Sequence, residues 1–153
     1  MESIEKEVIL NISTEKAFDK FVNEFNEWWP KEYTWSQDTL KEISITSRVG
    51  AFCTEIGPNG FRIDWGTVIG FQKDRLLSFK WQIGPERNPV PNPEKASLVT
   101  VTFNSMSKSK TVVKLVHAEF ENYGDNYPEY LKAMDSKQGW DYLIKCYKGY
   151  AEQ

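Results

Sequence analysis

The sequence predicts an α+β domain in which a curved antiparallel sheet of about six or seven strands wraps around a long C-terminal helix. Apolar residues recur at helical spacing near both ends of the chain and alternate with polar residues through its middle. Short turns join the alternating segments, which favours antiparallel pairing of the strands. We expect residues 1–153 to form a single domain, because no linker or internal repeat divides them.

The first expected elements are a strand over residues 4–12 and a helix from residue 14 to about residue 24. Ser13 provides an N-cap for this helix. The Trp28-Trp29-Pro30 sequence ends the region, because a proline disfavours helical geometry in the residue before it. Trp35 follows in a polar stretch, so we expect it at the surface or in a lid.

The central part of the chain has the period of two that is typical of strands. The turn sequence Gly57-Pro58-Asn59-Gly60 predicts a hairpin between two of them. The next strand is long, and strict alternation predicts that one of its faces carries Phe61, Ile63, Trp65, Thr67, Ile69 and Phe71. Further strands are expected around residues 77–81, 99–103 and 113–117.

Two features mark the C-terminal half of the chain. Prolines at 85, 89, 91 and 93 predict an extended loop over residues 84–97, which is either functional or mobile. After it, apolar spacing predicts one helix over residues 128–150, about 34 Å long at ~1.5 Å per residue. Gly139 inside that helix predicts either a close approach to the sheet or a local break.

The charge balance argues against two classes of partner. The chain has 19 Lys and Arg against 22 Asp and Glu, and its net charge is −3. Because no basic excess is present to neutralise phosphates or anionic head groups, we expect no nucleic acid and no membrane as partner. No apolar run approaches the ~20 residues of a membrane-spanning helix either.

Cys53 and Cys146 lie far apart and form no CxxC motif. The first residues lack the basic and then apolar order of a secretory signal. These features predict reduced thiols and a cytoplasmic protein. Because no cluster of histidine, cysteine and acidic residues has metal-ligand spacing, we expect no metal and no other cofactor.

The aromatic content is the most unusual feature of the composition, with six Trp, seven Tyr and nine Phe. On the inner faces of the sheet and helix, these side chains either fill the space between them or line a cavity there. Periodicity does not distinguish these two arrangements. The candidate ligand-binding residues of such a cavity are Trp28, Trp29, Trp65, Phe79, Trp81, Phe103, His117, Met134 and Trp140.

His117 is the only histidine and lies near the end of the last expected strand, on its inner face. It acts either as a ligand-binding group or general base in the cavity, or as a structural side chain, and we favour the structural role. Arg62 and Asp64 share one strand face and either bind a ligand carboxylate or, as we favour, face solvent. No Gly-x-Ser-x-Gly elbow is present, and we assign no catalytic residue.

Several motifs resemble those of one known family. They are Trp28-Trp29-Pro30 after the first helix, Arg48-Val49-Gly50-Ala51-Phe52 at a strand start, the Gly66-Thr67-Val68 to Phe79-Lys80-Trp81 hairpin, Leu115-Val116-His117, and Gly139-Trp140 with Ile144 in place of a leucine. With them the chain resembles the family named after the activator of the heat-shock protein 90 ATPase. That family belongs to the SRPBCC superfamily of START and birch-pollen-allergen-like domains.

The resemblance implies the helix-grip fold, in agreement with the order of the expected elements. Combined with the aromatic content, it favours a non-enzymatic domain that binds a small hydrophobic or aromatic ligand. The resemblance also implies two alternatives, a co-chaperone-like regulator of a heat-shock protein 90 ATPase and a cyclase- or hydrolase-like enzyme using the same cavity. Polar strand faces predict a monomer or a weak homodimer.

Overall fold

The computed structural model describes residues 2–153, which contain seven strands and four α-helices. The strands are β1 (Ile4–Leu10), β2 (Glu42–Ile45), β3 (Phe52–Ile56), β4 (Arg62–Gln72), β5 (Leu76–Trp81), β6 (Ser97–Ser107) and β7 (Lys110–Ala118). The helices are α1 (Thr14–Val22), α2 (Phe25–Trp28), α3 (Tyr127–Met134) and α4 (Trp140–Ala151). Single 3-10 turns over Lys31–Tyr33 and Gln37–Thr39 connect α2 to β2.

The seven strands form one antiparallel sheet in the spatial order β1-β7-β6-β5-β4-β3-β2. β1 pairs with β7 along its whole length, so the first and last strands of the chain lie side by side. The sheet curls around the C-terminal helices, and hydrogen bonds join α4 to strand β7 and to helix α1. Trp140 at its start bonds to His117 on β7, and Tyr147 bonds to the Ala17 carbonyl on α1. The predicted α+β helix-grip architecture is confirmed.

The C-terminal helical segment differs from the prediction because residues 135–139 break it into α3 and α4. Gly139 is the residue before the first turn of α4. A Cβ atom at this position would lie 2.2 Å from the Met134 carbonyl oxygen and 2.7 Å from that of Ala133. Of the two roles expected for Gly139, the structure therefore has the local break, with the end of α3 packed directly against the start of α4.

Strand β4 departs from strict alternation because its pairing register shifts twice, once against β3 and once against β5. At the first shift Trp65 has no partner on β3, and at the second Ile69 has none on β5. Each extra residue reverses the face on which the following side chains lie. The prediction of one shared face is consequently wrong: Trp65 is buried, whereas Ile69 is 47% exposed.

Aromatic side chains fill the core between the sheet, α1, α2 and α4. Phe21 lies at the centre of this cluster, with ring centroids 4.9 Å from Tyr147 and 5.0 Å from Trp28. Phe18 packs edge-on against Phe103 of β6 at 5.1 Å. Such edge-to-face contacts are favourable beyond the apolar area that they bury. None of the helices within residues 2–153 is long and apolar enough to cross a membrane.

Candidate ligand-binding cavity

A cavity of about 360 Å³ opens between the concave face of the sheet, the end of α3 and two loops. Its volume lies within the ~300–1,000 Å³ typical of small-molecule sites. The sheet contributes side chains from β2 to β5, α3 and the break after it form one wall, and residues 33–35 and 83–87 form the rim. The aromatic residues that line the cavity are Trp29, Tyr33, Trp35, Trp65, Trp81 and Tyr130.

Four of the nine predicted ligand-binding residues lie on the cavity wall, namely Trp29, Trp65, Trp81 and Met134. They come from four separate segments: the end of α2, β4, β5 and α3. The fold therefore brings together side chains that lie up to about 105 positions apart in the chain. Their role in binding a ligand stays a prediction.

The other five predicted residues lie in the core behind this wall, and they are Trp28, Phe79, Phe103, His117 and Trp140. The Trp28 indole N–H donates to the Phe21 carbonyl at 3.1 Å, which fixes the turn between α1 and α2. Phe79 packs edge-on against Trp65, with centroids 5.8 Å apart. These side chains support the wall from behind without contributing to its surface.

Trp65 is held by the first bulge of β4, which places its large side chain inward next to Gly66. A Cβ atom on Gly66 would lie 2.8 Å from the Lys80 carbonyl oxygen and 3.0 Å from the Cys53 sulfur, so the bulge needs glycine there. The Trp65 indole N–H is the one buried side-chain polar atom in residues 2–153 without a hydrogen-bond partner. A buried donor left unpaired costs about 1–3 kcal/mol.

Trp81 and Tyr130 join the sheet to α3 at the cavity wall. The Trp81 Nε1 donates to the Tyr130 hydroxyl at 2.8 Å, and this hydroxyl in turn donates to the Ile83 carbonyl at 2.7 Å. Burial raises the pKa of Tyr130, so its hydroxyl stays protonated and keeps both bonds at physiological pH. Tyr130, which itself lines the cavity, thus fixes the position of α3 over the cavity.

His117 lies outside the cavity lining and belongs to a buried chain of hydrogen bonds. Trp140 Nε1 donates to its Nδ1 at 2.9 Å, and an indole nitrogen can only donate. The ring proton must therefore be on Nε2, which donates to Ser97 Oγ at 2.7 Å. Ser97 bonds to the Tyr123 hydroxyl at 2.7 Å, and Tyr123 donates to the Trp81 carbonyl.

This arrangement keeps His117 neutral. Burial lowers its pKa to about 3, because the surrounding core does not solvate an imidazolium. Both ring nitrogens already have partners within the protein, one as acceptor and one as donor. The sequence favours a structural role for His117. Its hydrogen bond with Trp140 of α4 is an interaction of that kind.

Glu55 is a lining residue that our candidate set lacks. It lies on the inner face of β3, is 1% exposed and contributes to the cavity wall. Its Oε1 accepts from the backbone N–H of Trp35 at 3.1 Å, and its Oε2 accepts from the backbone N–H and hydroxyl of Ser36 at 2.8 and 2.7 Å. Glu55 alternates with Cys53 along β3, and it is the structure that shows this parity to face inward.

The proline-rich loop forms the rim and is tied to the sheet at several points. The Gln82 side-chain amide donates to the carbonyls of Val90 and Pro91, while its oxygen accepts from Thr67. Trp35 lies at the same rim, where its indole N–H donates to the Arg87 carbonyl at 2.9 Å. These hydrogen bonds hold the loop at the rim, and a functional role for it stays a prediction.

No family model and no curated protein matches the sequence. Solved structures resemble the chain over nearly its full length. An anthrahydroquino-gamma-pyrone synthase, Txn09, is 23% identical over 97% of this chain and 96% of its own, with a TM-score of 0.67. CalC, a self-sacrificing resistance protein from Micromonospora echinospora, is 20% identical over 97% and 93%, with a TM-score of 0.69.

A third structure, the Aha1 dimer from Colwellia psychrerythraea, is 16% identical over 99% of this chain and 97% of its own, with a TM-score of 0.68. Identities this low carry the fold and not the activity. All three comparisons agree with the seven-stranded sheet and terminal helix seen here. The helix-grip fold is therefore established for this chain.

Proposed function

We propose that the protein binds a small hydrophobic or aromatic molecule in the cavity between the sheet and α3, and that it does so without catalysis. The observation that carries this proposal is the cavity itself, whose wall holds the indoles of Trp29, Trp65 and Trp81. Large aromatic surfaces around a preformed cavity are typical of ligand sites. His117 lies behind this wall with both nitrogens bonded, so it is not placed to act on a bound molecule.

A thermal-shift screen with aromatic and hydrophobic small molecules tests the proposal. A ligand at 100 times its dissociation constant adds about 2.7 kcal/mol to the free energy of unfolding. For a domain of this size the melting temperature should rise by about 5–11 °C. Binding should also change the tryptophan fluorescence, because three indoles line the cavity.

A pair of neighbouring variants on α3 locates the site. Ala133 lines the cavity, whereas Lys132 is exposed and lies outside the lining. We expect Ala133→Trp to raise the dissociation constant of any hit on the order of tenfold by filling the mouth, and Lys132→Trp to leave it unchanged. Hits that bind both variants as tightly as the unchanged protein would place binding elsewhere and contradict the proposal.

The second candidate function is regulation of a heat-shock protein 90 ATPase. It goes with the proposal that this chain is a member of the activator family whose motifs it resembles. The structural similarity to the Aha1 dimer over 97% of that chain favours it. We expect a saturating amount of this protein to leave the ATPase rate of the chaperone unchanged, because the cavity accounts for the aromatic residues without a protein partner. A rate that rises with the amount of added protein would favour the co-chaperone function instead.

We further propose a cytoplasmic protein that is a monomer or a weak homodimer. Cys53 and Cys146 are both free thiols, and Cys53 is fully buried. Burial raises the pKa of the Cys53 thiol, which makes it unreactive. Unpaired cysteines of this kind suit a reducing compartment.

A further inference from the structure

Glu55 places a carboxylate in the wall of a cavity that is otherwise mainly aromatic and apolar. The residue is 1% exposed. Within residues 2–153, no Lys, Arg or His nitrogen lies within ion-pairing distance of its oxygens. Removing a carboxylate from water without a paired cation is costly, and hydrogen bonds offset that cost only in part.

The donors around Glu55 leave its carboxylate incompletely satisfied. A carboxylate has about four lone-pair positions for hydrogen bonds. Trp35 uses one position on Oε1, and Ser36 uses two on Oε2. Oε1 therefore retains an acceptor position, and no cationic side chain of residues 2–153 pairs with the carboxylate.

The aromatic wall complements such a charge. Trp29, Trp65 and Trp81 line the same cavity as Glu55, and Tyr33 and Tyr130 complete the wall. The faces of tryptophan and tyrosine rings attract cations, most strongly where water is excluded. A carboxylate together with several aromatic rings provides a suitable environment for a weakly hydrated organic cation.

Arg87 is the one cationic side chain among the lining residues, which all belong to the described part of the chain. It is exposed, and its guanidinium donates to the Thr34 carbonyl at 3.1 Å. Its charge at the rim is screened by solvent, unlike that of the buried Glu55. The electrostatic preference inside the cavity is consequently set by the carboxylate.

We propose that the cavity selects organic cations, with an ammonium group beside Glu55 and an apolar or aromatic body against the tryptophans. The inference rests on the proposed ligand-binding function and adds the chemical class of the ligand. A quaternary or protonated amine satisfies the remaining charge of Glu55 at little desolvation cost. A neutral molecule of the same shape leaves that charge uncompensated.

Two probes of nearly equal shape test this inference, phenyltrimethylammonium and tert-butylbenzene, with binding followed by tryptophan fluorescence. We expect Glu55→Gln to weaken phenyltrimethylammonium on the order of tenfold or more and to change tert-butylbenzene less than about twofold. The amide oxygen replaces Oε2 and keeps both bonds from Ser36, whereas the NH2 group replaces Oε1 and loses the bond from the Trp35 N–H, so the melting temperature of the variant is measured beside binding. Glu32→Gln is the matched control, because Glu32 is exposed and lies outside the lining.

The outcomes separate the ligand class from ligand binding itself. Equal weakening of both probes by Glu55→Gln, or binding of tert-butylbenzene alone, would overturn the cation preference and leave the binding function intact. Failure of both probes to bind the unchanged protein would contradict both proposals. Arg87→Gln gives a second test that leaves Glu55 in place: at low ionic strength it should strengthen phenyltrimethylammonium by about twofold and leave tert-butylbenzene unchanged.

Discussion

Lowering the pH from 7 to 4.5 should reduce the free energy of unfolding by about 2.5 kcal/mol through His117 alone. Burial lowers the pKa of His117 to about 3 in the folded protein, whereas an unfolded chain has the ordinary value of about 6.5. Between these two values the unfolded state binds a proton that the folded state does not. Stability is therefore lost as the pH falls below about 6.5, by up to ~1.36 kcal/mol per pH unit, until about pH 3.

The hydrogen bonds of His117 explain why the folded protein resists this proton. Nδ1 is the nitrogen that would accept it, and the Trp140 N–H already points at that atom from 2.9 Å. Protonation would bring two donors face to face in a site with no solvent. The hydrogen bonds that run from Nε2 through Ser97 and Tyr123 to the Trp81 carbonyl keep their direction, so the cost of protonation arises at Nδ1 and from burial of the charge.

Urea denaturation between pH 4.5 and 8 measures this effect, with His117→Gln as the reference. A glutamine oxygen replaces Nδ1 as acceptor and its amide replaces Nε2 as donor, so both bonds are retained without a titratable group. Because His117 is the only histidine, the pH dependence between about 5 and 7 should be much smaller in this variant. An identical pH profile in both proteins would show that His117 is protonated or accessible in the folded state.

The sequence predicts the architecture well because the architecture depends on periodicity. Alternation identifies the sheet, helical spacing identifies both helical ends, and the Gly57–Gly60 turn gives the β3–β4 hairpin. Strict alternation fails at Trp65 and Ile69, because a bulge inserts one residue without changing the composition around it. Only the pairing of β4 with β3 and β5 specifies where that residue is inserted.

The cavity is harder to predict than the fold for a related reason. An inward-facing aromatic residue has the same sequence pattern whether it meets another side chain or an open space. Trp28 and Trp29 are adjacent, yet Trp29 lines the cavity while Trp28 bonds to Phe21 in the core. Glu55 is absent from the candidate residues because a lone carboxylate on a strand is usually solvated. Its burial depends on Trp35 and Ser36, some twenty residues earlier.

Gly139→Ala should destabilise the protein by about 1–3 kcal/mol, because the added methyl group has no space. It would lie 2.2 Å from the Met134 carbonyl oxygen and 2.6 Å from its carbonyl carbon. These are backbone atoms at the end of α3, so a rotamer change cannot relieve the clash. The break between α3 and α4 must open, and the cavity wall at Ala133 and Met134 must move with it.

Gly149→Ala is the matched control on the adjacent helix, since no atom lies within 4 Å of a Cβ placed there. Gly149 is inside α4 and exposed, so alanine should stabilise the protein by about 0.5–1 kcal/mol through the lower entropy of the unfolded chain. Melting temperatures should move in opposite directions, by about 2–4 °C per kcal/mol. Two variants with equal melting temperatures would show that α3 adapts without cost to a side chain at Gly139. Opposite shifts would show that glycine is required there to seat the cavity wall against the terminal helix.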